Sequence, residues 1–140
     1  MTWKAAREAI IDALEAKVPT HQAPGYPPAF VADIDHGAIP RATRRFAIAA
    51  MGLRDVDQTR RTVTTARLVL RYEGVEARVS DVMAADALDI ARALAGVGDA
   101  TVGSVTGPFE GGALVPSFEP DPETEQSGQI LSFDLLVDHL

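Results

Sequence analysis

The run TVTTARLVLRYEG, ending at Gly74, constrains this chain more than any other stretch. Its β-branched and aliphatic residues alternate with polar ones at a period of two, which is the spacing of an extended chain with one face buried. Thr64, Ala66, Leu68, Leu70 and Tyr72 fall on one side, and Val63, Thr65, Arg67, Val69 and Arg71 on the other. The second side carries two arginines with no acid beside them in the strand, so another segment must meet them. The closing run QILSFDLLVDHL has the same period, with Leu131, Phe133, Leu135 and Val137 on one face and Ser132, Asp134, Leu136 and Asp138 on the other. Paired in one sheet, its aspartates can lie beside Arg67 and Arg71, each such pair adding roughly 0.2–1 kcal/mol.

Two helices accompany these strands. TWKAAREAIIDALEAKV repeats Trp3, Ala6, Ile10, Leu14 and Val18 at helical spacing behind Thr2 as N-cap, which predicts a helix over about residues 3–17, ended by Pro19. In SDVMAADALDIARALAGVG, Val82, Met83, Ala87, Ile90, Ala91 and Leu94 make an apolar stripe. Ser80 or Asp81 is expected to cap this helix, Asp86, Asp89 and Arg92 to lie outside the stripe, and Gly96 to close it in a left-handed conformation. Shorter strands are expected in AFVADID, in RRFAIAAMGL and from about Ala100 to Thr106, with a turn at Arg54 to Asp57 making a hairpin with the long strand. The Pro-rich PTHQAPGYPP reads as a stiff connector, and Gly107 to Ser127 as a long acidic loop. The sum is one α+β domain over residues 1–140: two helices packed on a mainly antiparallel sheet of four to five strands, in the order α-β-β-β-α-β-β.

With 140 residues and no cysteine, the chain must hold together by a core alone, without disulfides, thiolate catalysis or cysteine-ligated zinc. No apolar run is long enough to cross a bilayer and charges run through the first twenty residues, so neither a membrane helix nor a secretory leader is expected. The net charge of −7 opposes general nucleic-acid binding. Its distribution is uneven: residues 1–72 carry eleven Lys or Arg against seven Asp or Glu, while residues 73–140 carry two against thirteen. Such polarity points to an interaction surface.

No catalytic constellation emerges. His21, His36 and His139 are scattered; DIDH, ending at His36, is a strand-end turn rather than a converging ligand set; His139 is expected at an edge or surface. There is no nucleophile elbow, and the glycines of GVGDATVG follow a helix instead of opening one, the reverse of a phosphate cradle. The expectation is therefore a non-enzymatic protein with no cofactor and no metal.

REAIIDALEA, TARLVLRYEG, DVMAADALDIARAL and ILSFDLLVDHL, in that order and with a proline-containing connector after the first, resemble the tail terminator proteins of long-tailed phages, the minor tail protein U type, and their gene transfer agent equivalents. The likeness covers nearly the whole chain in layout and size; the Pro-rich connector and the long acidic loop depart from it. It implies a structural protein of the virion or gene transfer agent tail, assembled in the host cytoplasm. Such a protein forms a homohexameric ring on the head-proximal end of the tail tube, ends tube growth and offers a surface to the head-tail connector protein. DNA meets it only in transit through the lumen, and no membrane is involved. A neck or head-completion adaptor is the alternative, and a small ligand-binding α+β domain with a pocket near His36 is a third reading. For the subunit contact, the candidates are Arg41, Arg44, Arg45, Arg54, Arg60 and Arg61 against Glu119, Asp121, Glu123 and Glu125. Charge reversal at Arg44 and Arg45 is then expected to weaken the ring and leave the subunit folded.

Overall fold

A computed structural model describes residues 3–22, 26–32, 44–55, 62–73, 76–98, 102–120 and 128–139. The elements run α1 (Trp3–Ala16), β1 (Val31–Ala32), β2 (Arg45–Asp55), β3 (Thr62–Glu73), α2 (Glu76–Ala95), β4 (Val102–Thr106), β5 (Pro116–Pro120) and β6 (Gly128–His139). This is an α+β fold with two helices and one mixed six-stranded sheet.

Its backbone is the pair β3·β6, antiparallel over all twelve residues of each strand, from Thr62 opposite His139 to Glu73 opposite Gly128. The two alternating runs were legible in the sequence, and their buried faces coincide: Leu68, Leu70, Leu131, Phe133, Leu135 and Val137 are all buried. β2 pairs antiparallel with β3, as the hairpin reading expects, but it extends through Asp55, so Arg54 and Asp55 belong to the strand. The register shifts between Ala50 and Gly52. β1 is only two residues long and lies parallel to the start of β2, which makes the sheet mixed.

β4 and β5 both pair antiparallel with the outer side of β6, β4 along Leu136 to His139 and β5 along Gln129 to Phe133. The expected acidic loop from Gly107 to Ser127 is thus corrected in its middle, where residues 116–120 are a strand; residues 121–127 lie outside the described residues. β4 is short, and an uncovered N-terminal half of β6 would leave a row of unpaired backbone groups; β5 satisfies them. Its terminal prolines suit an edge position. Between β4 and β5 the chain makes a tight excursion through a 3-10 turn at Glu110–Gly112, closed by the Gly107 amide donating to the Gly112 carbonyl at 2.9 Å. A Cβ on Gly107 would collide with the Ala113 carbonyl, and Gly112 has a φ of 72°, so glycine is required at both.

Both helices contribute to one buried layer with the sheet. α1 inserts Ala6, Ile10 and Leu14, spaced four apart, and α2 inserts Val82, Met83, Ala87, Ile90 and Leu94. α2 begins at Glu76, a turn before the expected caps at Ser80 and Asp81. Gly96 is not left-handed: its amide reaches back to the Arg92 and Ala93 carbonyls in an ordinary helical closure. No helix among the described residues is long and apolar enough to cross a membrane.

Candidate functional site

The polar groups inside this core come first, because they decide which charged residues remain for the surface. Asp86 sits between Val82, Met83 and Ile90 in sequence, so helical spacing puts it in the middle of the buried stripe; it is 0 % exposed, against the expectation that it lies outside. The compensation comes from Arg44, also 0 % exposed, whose Nε and Nη2 donate to the two Asp86 carboxylate oxygens at 3.1 Å each. Two further guanidinium donors go to backbone carbonyls of the connector, Nη1 to Pro27 at 2.6 Å and Nη2 to His21. The Tyr72 hydroxyl donates to Asp86 Oδ2 at 2.7 Å, and the Arg44 guanidinium lies 5.6 Å from the Tyr26 ring centre and 6.0 Å from that of Phe30. Burial, and then the neighbouring Asp86 carboxylate, hold the Tyr72 phenol well above its ordinary pKa of 10.0. Arg44 takes up this position from a left-handed backbone, φ 67°, a strained conformation for a non-glycine residue that the surrounding bonds hold in place.

Asp89, also expected outside, is buried at 2 % exposure and receives the Thr20 amide and hydroxyl, both at 2.8 Å. The two aspartates therefore fasten the Pro-rich connector to α2. His139 is likewise buried rather than at the surface, because β6 is flanked by β3 and β4; its Nε2 is hydrogen-bonded to Thr64 Oγ1 at 2.7 Å.

These positions correct the candidate contact set. Arg44 is removed from it, since a fully buried, bidentate guanidinium is a strut of the subunit, and reversing its charge would break the fold as well as any assembly. Arg45, the first residue of β2, is exposed, and so is Glu119 on β5. Of Arg54, only its place on β2 opposite Val63 is described. Arg41, Arg60, Arg61, Asp121, Glu123 and Glu125 lie outside the described residues, as does the DIDH turn with His36.

Arg45 and Glu119 stand on opposite sides of one sheet, Glu119 on the edge strand β5 and Arg45 one strand in from the other edge, where Val31 of β1 pairs with it. Between β2 and β5 lie β3 and β6, so the two strands are about 14 Å apart, three strand spacings. The pair cannot meet inside one copy. Across the open face, Arg67 pairs with an aspartate as expected: its Nε donates to Asp134 Oδ1 at 2.9 Å, both side chains about half exposed. Arg71 is instead opposite Ile130, and Asp138 opposite Val63, because the register places the second aspartate at the far end of β3.

One open groove of about 520 Å³ runs between the C-terminal turns of α2 and β4, lined mainly by Ala91, Arg92, Ala95, Ser104, Thr106 and Leu114. Its walls are chiefly small and apolar, with Arg92 as the charged group. Among the described residues, no three His, Asp or Glu side chains converge as a metal site would require. No protein-family model matches the chain, and no curated protein sequence matches it.

Proposed function

We propose that this chain is a ring-forming tail terminator: a structural subunit whose copies cap the head-proximal end of a tail tube, end its growth and offer a surface for head joining. The observation that carries the reading is the placement of Arg45 and Glu119, unlike exposed charges on opposite sides of one sheet, Glu119 on the edge strand β5 and Arg45 beside the two-residue edge strand β1, with no contact between them within a copy. Surfaces of that kind are satisfied head to tail, and head-to-tail contacts close into rings when the rotation per copy permits. Complementary charge then fixes orientation and register more than it adds affinity.

The interior supports the same reading. Each of the five buried polar side chains among the described residues, Arg44, Thr64, Asp86, Asp89 and His139, is bonded to another part of the fold. They serve as struts of a rigid building block. In a ring around passing DNA, the net charge of −7 disfavours adhesion to phosphate.

Electron microscopy of the purified protein mixed with tail tubes tests this. Rings seated at one end of tubes of defined length are expected. Tubes that stay bare and keep growing would remove the reading, and binding to portal complexes in place of tubes would favour the neck adaptor.

A further inference from the structure

The large apolar side chains left exposed are concentrated at the two edges of the sheet. Of the seven such residues among those described, Val31 and Met51 lie on the β1–β2 edge, and Phe109, Val115 and Phe118 lie on β5 and the excursion that leads into it from β4. Met51 is 63 % exposed and Phe118 50 %. β1 covers β2 only at Arg45 and Phe46, so among the described residues the outer side of β2 from Ala47 to Asp55 has no strand beside it.

The two edges match in height. Ala32, Phe46, Leu70, Leu131 and Phe118 form one transverse row; one residue along, on the other face by alternation, Glu119 stands at one end of the next row and Arg45 stands at the other side, inside Val31. A second row runs from Gly52 through Thr65 and Leu136 to Thr106. Met51 is the extra residue of the bulge beside that row on one edge, and the 107–115 excursion leaves from the same row on the other. Bulge therefore faces excursion when one copy is placed beside the next, and Glu119 comes level with Val31, with Arg45 one strand behind it on the same face. Strand direction agrees as well. Three antiparallel pairings separate β2 from β5, so β5 runs opposite to β2, and copies related by rotation present antiparallel edges to each other.

Resting on the self-assembly reading above, we propose that subunits join edge to edge. The edge carrying Val115 and Phe118 of one copy packs against the edge carrying Val31 and Met51 of a second copy, with the Glu119 side chain reaching over Val31 to Arg45, so that the sheet continues from subunit to subunit. The bulge and the excursion break up what would otherwise be flat edges, which restricts pairing to an edge of matching outline.

The chain has no native cysteine, so introduced thiols report the contact directly. The full-length double variant Met51→Cys/Val115→Cys, treated with a short bis-maleimide, is expected to give a ladder of covalent oligomers. Each single variant stays monomeric under the same treatment, and a mixture of the two singles stops at dimers. Both positions are exposed, and circular dichroism verifies the fold. A ring mass by sedimentation without the ladder overturns the edge contact and leaves the terminator reading standing. Dimers from either single variant overturn it too, because they mean that an edge pairs with itself. A wild-type chain that stays monomeric at every concentration, alone and with tubes, overturns both.

Discussion

Arg44 and Asp86, forty-two residues apart, form a bidentate pair with neither side chain exposed, and this pair joins the start of β2 to the centre of α2. Its consequence is an asymmetry between neighbours. Arg44→Glu should place two carboxylates together in the core and abolish cooperative folding, whereas Arg45→Glu should change stability by no more than about 0.5 kcal/mol. Asp86→Ala should cost about 3–5 kcal/mol, because it leaves the guanidinium buried without its counter-charge. Urea denaturation followed by circular dichroism measures each.

Tyr72 supplies an alkaline test. Its phenol keeps its proton in the folded state above the ordinary pKa of 10.0, while the unfolded chain loses it there. Above that pH the folded state binds more protons than the unfolded, so stability should fall as pH rises. Tyr72→Phe should lose about 1.5–3 kcal/mol at neutral pH with the hydrogen bond to Asp86, and the alkaline slope should flatten. Denaturation midpoints compared at neutral pH and above pH 10 give both quantities.

The Arg67–Asp134 pair should contribute little. Both partners are half exposed, and solvent screens the attraction. A double-mutant cycle with alanine at each position should return a coupling of about 0.2–1 kcal/mol that shrinks with added salt. A coupling insensitive to salt would mean that something covers this face of the sheet.

Assembly should depend on Arg45 and Glu119 through charge rather than identity. Arg45→Glu and Glu119→Arg, each alone, should lower the ring fraction seen by sedimentation, and the double swap should restore it. Restoration is the informative result, since loss alone could follow from any surface change.

At the centre of the sheet, Leu68→Ala should cost about 2–5 kcal/mol in a urea titration. Leu68 is fully buried between Ile48 and Phe133 in register, where backbone pairing on both sides limits collapse into the cavity.

Much of this fold is written in local periodicity. The alternation in β3 and β6 determined two long strands and their buried faces, and the helical spacing of Ala6, Ile10 and Leu14 determined α1, because side-chain direction follows from backbone geometry over a few residues. The arginine side of β3 likewise required an acid, and Asp134 is one. What the sequence alone left open depends on partners distant in the chain. Asp86 lies at a buried position by its spacing, yet its charge made the outside the expected place. Only the arrival of Arg44 from the connector side makes the buried position tolerable, since desolvation of a carboxylate must be offset by a counter-charge that local pattern cannot display. The same holds for Asp89 with Thr20 and for His139, whose burial depends on β4 covering β6. The sheet edges belong to this second class too. Arg45 and Glu119 were both visible as charged residues, but their separation across the sheet, on which the proposed contact between copies rests, arises from the order in which the strands lie side by side, which tertiary structure decides.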